Sequence, residues 1–202
     1  MPKLTIFAGI NGVGKSTLYN FQKCRYYKEY MGERVNPDEI LQNFNGDWRE
    51  ARDIMKSGRI AIQKIKECLE ENKSFNWETT ILSHYVISKM KEAKEKGYQV
   101  DLYFIGTHSV ENSLNRIAKR VENGGHGIPE KLVKARFEKQ FYNVDRAMNI
   151  ADTVVFHDNE KVMKIVGIFY QNHLVYKDER CEWMENIYKS KQEDKKFTKW
   201  LP

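Results

Sequence analysis

A lysine and a serine stand side by side at the end of a glycine-rich run, Gly9-Ile10-Asn11-Gly12-Val13-Gly14-Lys15-Ser16-Thr17. The spacing is G-x-x-x-x-G-K-[ST], the pattern of a loop whose backbone N–H groups turn into one concavity and hold phosphate oxygens. In such a loop Lys15 reaches the β- and γ-phosphates of ATP and Ser16 offers its hydroxyl to Mg²⁺, while the start of the next helix adds about half a positive charge. Gly9, Asn11, Gly12, Val13, Gly14, Lys15, Ser16 and Thr17 are therefore expected to bind nucleotide. A glycine-rich turn can also be mere tight packing, but packing does not require Lys and Ser together at a helix start. The loop by itself does not separate kinase, switch and motor.

Three further groups could complete a phosphoryl transfer. In Val35-Asn36-Pro37-Asp38-Glu39, Asp38 stands where a carboxylate can take the proton of an attacking hydroxyl as the γ-phosphoryl group leaves ADP. The competing reading makes Asp38 the N-cap of a short helix from Glu39 to Phe44, and Glu39 is the neighbouring alternative for the base. Glu78-Thr79-Thr80 ends a strand on the same edge and presents a carboxylate and hydroxyls suited to a polyol or amide acceptor, unless they are simply solvated. Arg116 and Arg120 share a helix face, and Arg136 lies on the returning helix beyond Gly124-Gly125-His126-Gly127-Ile128-Pro129. The planar fork of arginine suits phosphate, so the hairpin reads as a lid that closes over ATP and neutralises charge on the transferring group; the bland reading is two basic helix surfaces. His126 has no spaced His or Cys partner and is not expected to bind metal. Asp101 sits mid-strand, where a Mg²⁺-orienting carboxylate would be terminal.

These groups need strands and helices to carry them. Leu4 to Ala8 is an apolar run stopped by Gly9, which suits a strand buried on both faces, and a helix should start near Lys15. A second strand is expected around Glu33 to Asn36, then one or two helices from Asp47, as cap, to Asn72. A strand over 74 to 80, a helix from Ser83 to Lys96 stopped by Gly97, and a strand from Tyr98 to Ile105 follow. Ser109 is read as the cap of a helix to Asn123, and Pro129 as the first residue of a long helix. Asp152 to His157 is a last core strand, Lys164 to Tyr176 a hairpin around Gln171-Asn172, and Asp178 onward a helix with a Lys-rich end. This alternation predicts an α/β, P-loop NTPase (kinase-like) three-layer fold with a mainly parallel, doubly wound sheet. One domain over 1–202 is expected, with a helical lid over about 109–150 and a C-terminal hairpin and helix over about 160–202.

Composition agrees with such a domain. Of 202 residues 41 % are apolar, enough for a sizeable core, and the net charge of +6 favours anionic ligands. The lysines are dispersed and no basic block interleaves with aromatics, so nucleic acid is not the expected partner. Cys24, Cys68 and Cys181 are odd in number and far apart, which supports neither a disulfide framework nor a zinc site. The N-terminal apolar run is too short for a signal peptide and no stretch approaches a membrane span, so a cytoplasmic setting is expected.

Read in order, AGINGVGKST, NPDEI, SGR, SFNWETT-x-LS, GY-x-V and R-x-x-x-RV-x-NGGHGIP-x-x-x-V-x-x-RF resemble the zeta-toxin family of P-loop kinases from about Leu4 to Asn159. The resemblance implies ATP-dependent phosphorylation of a UDP-N-acetylhexosamine, chiefly UDP-N-acetylglucosamine, and an antitoxin as a possible protein partner. It implies Asp38 as catalytic base, Glu78 and Thr80 as sugar-nucleotide contacts, and Arg120 and Arg136, with Arg116, as triphosphate contacts. HDNE resembles the family's last-strand D-N and would put Asp158 and Asn159 near the adenine. The segment after Asn159 maps to no sugar site. Left open beside a sugar-nucleotide kinase are a kinase of another acceptor (a nucleoside, a small antibiotic, a nucleic-acid 5′-hydroxyl) and a nucleotide-dependent interaction protein.

Overall fold

The computed structural model describes residues 1–26, 31–80 and 83–189. The Lys-rich end expected after the last helix lies outside the described residues, as do Ile81 and Leu82 of the third strand's motif. The fold is α/β and P-loop kinase-like: a seven-stranded sheet in the order β2-β3-β1-β4-β5-β6-β7, with helices packed on it. β1 (Lys3–Ala8), β2 (Glu33–Val35), β3 (Phe75–Thr79), β4 (Gln99–Gly106) and β5 (Thr153–Asp158) are parallel; β6 (Lys164–Tyr170) and β7 (His173–Lys177) extend the sheet antiparallel. β1 has β3 on one side and β4 on the other, so the chain reverses its winding at the strand that feeds the glycine loop, which is where open α/β sheets bind ligands.

Both faces of β1 are buried, the condition that made its sequence continuously apolar. Leu4, Ile6 and Ala8 join a core with α3 (Ala51–Glu70), α4 (His84–Glu95) and α7 (Val144–Met148), while Phe7 joins Val13, Leu18 and Tyr19 at α1 (Lys15–Tyr26). The hairpin β6/β7 turns on Gln171 and Asn172, both with positive φ (45° and 65°).

Several helix starts differ from expectation. Asp47 does not cap α3: the cap position is Glu50, and Asp47 instead accepts from Arg49 N in a turn of its own. Pro129 is the cap residue of α6 (Glu130–Glu138), not its first residue, and the expected long helix breaks before α7. Ser109 occupies the cap position of α5 (Val110–Glu122), but its side chain donates to Glu111 and leaves the helix start unserved. Glu160, from the loop after β5, takes that role by accepting from His108 N and Ser109 N at 3.0 and 3.2 Å.

Candidate active site

The loop between β1 and α1 takes its shape from three glycines with positive φ: Gly9 (141°), Gly12 (76°) and Gly14 (108°). Neighbours also forbid a side chain. A Cβ on Gly12 would lie 2.4 Å from the Ser113 carbonyl of α5, and one on Gly14 would lie 2.6 Å from Asn159 Nδ2. Asn159 braces the loop, donating to Val13 O at 2.7 Å, and its own carbonyl accepts from Arg116 Nη2 at 2.8 Å. Asp158 is buried and accepts from Trp183 Nε1 at 3.0 Å.

Lys15 Nζ is buried, donates to Ile10 O at 2.9 Å and lies 3.9 Å from Glu78 Oε1. Burial lowers its pKa; Glu78 and Asp38 work against that, while Arg136 and Arg120 add to it. Ser16 Oγ donates to the Glu78 carboxylate, 3.0 Å from each oxygen. Glu78 also accepts from Arg34 Nη2 at 2.6 Å and from Asn36 Nδ2 at 3.1 Å. The sequence put Glu78 on the acceptor edge. The structure sets it between the two sides, locked to the phosphate loop. Strand order explains this: β3 pairs with β1, and Glu78 is in register with Phe7, just before the loop.

Asp38 follows Pro37 in α2 (Pro37–Asn43), and the cap of that helix is Asn36, whose side chain accepts from Asp38 N at 3.0 Å. Asp38 is thus free of the capping role that competed for it. Glu39 accepts from Arg34 and Asn36 and so is already engaged. The Asp38 carboxylate meets His126 instead, Nε2 to Oδ2 at 2.6 Å. Burial would raise its pKa, but the His126 hydrogen bond and charge, with Lys15 and Arg120, outweigh that and hold it below the ordinary carboxylate value.

The arginines lie where the hairpin of α5 and α6 would need them. Arg136 Nη1 donates to Asn11 Oδ1. Arg120 Nε and Nη2 and Arg116 Nη1 are buried N–H groups with no hydrogen-bond partner, a costly state that an anion would relieve. Two cavities meet here. One of about 290 Å³ is lined by Gly12, Gly14, Ser16, Thr17, Arg116 and Arg120 among others. The other, about 410 Å³, includes Trp48, Trp77, Thr80 and Tyr85 in its wall. Asn11, Lys15, Asp38 and Glu78 line both.

Arg34, His126 and Trp48 were missed from the sequence. Arg34 had a readable signal in its place beside NPDE at the second strand. The other two had none, because their partners are far along the chain. Asp101 lies within β4 in register with Thr5 and pairs with Lys3 at 2.6 Å. No helix among the described residues is long and apolar enough to cross a membrane.

A family model described as an AAA domain (AAA_33) matches residues 4–147. A Haemophilus influenzae protein described as an uncharacterized protein is 36 % identical over 135 residues, 67 % of this chain and 92 % of that one. Among solved structures, that of AvrRxo1-ORF1:-ORF2 with ATP matches with a TM-score of 0.70 at 18 % identity. The match covers 93 % of this chain, which spans 63 % of that chain. The PezAT chromosomal toxin-antitoxin system of Streptococcus pneumoniae gives a TM-score of 0.60 at 13 % identity, over 96 % of this chain and 87 % of that one. At these identities the likeness to solved structures is one of fold.

Proposed function

We propose that this chain, which belongs to the AAA domain family AAA_33, is an ATP-dependent kinase that transfers the γ-phosphoryl group to a hydroxyl of a small acceptor. The observation that carries the reading is Asp38: a carboxylate relieved of helix capping, at the junction of a phosphate-type cavity and a second cavity large enough for an acceptor. A nucleotide switch has no use for such a base. In this reading the acceptor O–H proton passes to Asp38, the acceptor oxygen bonds to Pγ, and the Pγ–O bond to ADP breaks with its electron pair leaving on ADP. Gly12, Val13 and Gly14 turn backbone N–H groups toward phosphate, Lys15 serves the β/γ end, and Arg116, Arg120 and Arg136 neutralise developing charge. Ser16 and Glu78 are converging hard oxygen donors, a set that fits Mg²⁺. When bound, Mg²⁺ neutralises charge on the phosphate oxygens.

The resemblance to zeta toxins makes a UDP-N-acetylhexosamine, UDP-N-acetylglucosamine first, the acceptor of this proposal, with Thr80 beside it. It also makes an antitoxin-like protein the proposed partner, which the fold shared with a toxin-antitoxin structure supports. A second reading is favoured by the acceptor wall. Among the described residues lining that cavity the side chains that can carry positive charge, Lys15, Arg136 and His126, gather around Asp38, and the rest of the wall includes Trp48, Trp77, Tyr85, Ile62 and Leu132. A diphosphate finds no counter-charge there, whereas a neutral hydroxylated ring such as a nucleoside finds aromatic surface.

Incubation with ATP, Mg²⁺ and a panel of UDP-sugars and nucleosides, read by mass for one added phosphate, decides between the acceptors. Asp38→Asn should cost about 10²- to 10⁴-fold in kcat with ATP affinity kept. Arg120→Ala and Arg136→Ala should slow transfer and ATP hydrolysis alike. The ratio of transfer to hydrolysis should therefore fall only in Asp38→Asn; equal ratios in all three variants would remove Asp38 as the base.

A further inference from the structure

His126 was assigned no role by its sequence context, yet it makes the closest polar contact to Asp38. We infer that His126 is the positioning residue of the base: carried on the turn between α5 and α6, it orients the Asp38 carboxylate from across the cleft. The inference rests on the reading of Asp38 as the acceptor base.

Asp38 is fixed at its backbone by Pro37 and the Asn36 cap, but among the described residues the hydrogen bond on its carboxylate is the one from His126. A carboxylate only accepts, so Nε2 carries the proton and donates to Oδ2, leaving Oδ1 to receive the acceptor's proton. The His126 side chain is 13 % exposed and its Nδ1 is buried without a partner. The bond to Asp38 is therefore the polar contact that offsets burying this imidazole; an apolar residue would fill a purely structural position at lower cost.

The turn is built to deliver the ring. Gly124 has φ +78°, and Gly125 N donates to Arg120 O at 2.8 Å, so a Cβ at Gly125 would lie 2.6 Å from Arg120 Cγ. A Cβ at Gly127 would lie 2.7 Å from the Trp48 ring. Small residues on both sides let the backbone pass between the arginine helix and the acceptor wall, with His126 as the side chain that reaches in. The same hairpin carries Arg116 and Arg120 on α5 and Arg136 on α6. One hairpin therefore carries both the phosphate-facing arginines and the histidine that meets the base.

The test compares His126→Ala, His126→Gln and Asp38→Asn on the acceptor found by mass, with hydrolysis and pH profiles alongside. His126→Ala should lower transfer about ten- to a hundredfold and hydrolysis less, with the KM for ATP nearly constant. Gln places an amide N–H near the position of Nε2 and should recover much of the loss. Asp38 is faced by His126, by Lys15 of α1, by Arg120 of α5 and by Arg136 of α6, with Glu78 of β3 beyond Lys15 and Glu39 tied to Arg34. His126 helps keep the carboxylate ionised, so its loss should move the acid limb of kcat to higher pH, which a packing defect would not do. An unmoved acid limb with a full rate in His126→Ala would overturn the inference while leaving the base in place. Unimpaired transfer in Asp38→Asn would instead overturn the base assignment itself. A readout that needs no acceptor is the ¹⁵N spectrum of labelled histidine: the Nε2–H form should be fixed in the unmodified protein and released in Asp38→Ala, which has no acceptor at that place, and identical spectra would sink the contact.

Discussion

At Glu78 one carboxylate meets Ser16, Arg34 and Asn36, with Lys15 3.9 Å away. A sequence shows a Glu at a strand end and nothing of that company, and the bond to Ser16 adds a place on the proposed metal side to the acceptor role expected of it. Glu78→Gln keeps the shape but takes from Arg34 one of its two charged partners, Glu39 being the other, and weakens the hard-oxygen set beside Ser16. The free Mg²⁺ needed for half-maximal rate should rise about tenfold, as it does when a ligand's supporting group is lost. Rates measured against free Mg²⁺ at fixed ATP check this, and an unchanged midpoint with a raised acceptor KM would return Glu78 to the acceptor alone. Lys15→Ala is the simpler case. It removes a buried cation from the phosphate loop and should cost at least about a hundredfold in transfer, with weaker ATP binding by calorimetry. Undiminished turnover at saturating ATP would contradict it.

Elements were legible wherever their signals were local. β1 reads from its continuous apolar run, the glycine loop from its spacing, and α4 from Ser83 and Gly97 at its ends. Helix starts that depend on a distant partner were not: α5 is served by Glu160, which lies 51 residues from the Ser109 N–H it accepts. Asp47 failed as a cap because its own turn came first. The hairpin of α5 and α6 offers a test at this scale. Gly127→Ala puts a methyl into the face of Trp48, where the ring must yield or the turn must lift. We expect a raised acceptor KM and a lowered transfer-to-hydrolysis ratio, with ATP affinity changed least, because Trp48 and Gly127 line the acceptor cavity and not the phosphate one. Steady-state kinetics with each substrate varied would show it; a defect confined to ATP would mean that the turn serves the nucleotide side.

For the molecule as a whole, His157 of β5 ties stability to pH. It is buried at 4 % exposure, and burial pulls its pKa down to about 4, partly opposed by a hydrogen bond to the Val155 backbone. Between about pH 6.5 and 4 the unfolded chain therefore binds a proton that the folded chain refuses, so stability is complete above that window and falls as pH drops through it. The fall attributable to this residue is at most about 3 kcal/mol. The depressed carboxylates, Asp38, Asp178 and Glu160, lose their contributions at lower pH. Urea midpoints from pH 7.5 to 5 should decline in the unmodified protein and stay flatter in His157→Leu; parallel curves would exclude His157 as the cause. By itself the sequence determined the phosphate-loop pattern and the alternation of strands and helices, and it put forward the carboxylate and arginines of the proposed transfer, since each is written within one short window of chain or one helical period. Only the tertiary structure decided which of these groups meet. Glu78 reaches Ser16 across 62 residues because β3 pairs with β1, His126 reaches Asp38 across 88, and Arg136 reaches Asn11 across 125 because α6 folds back over the loop. Such contacts are set by strand order, register and the packing of one hairpin on the sheet, and no local pattern of residues encodes them.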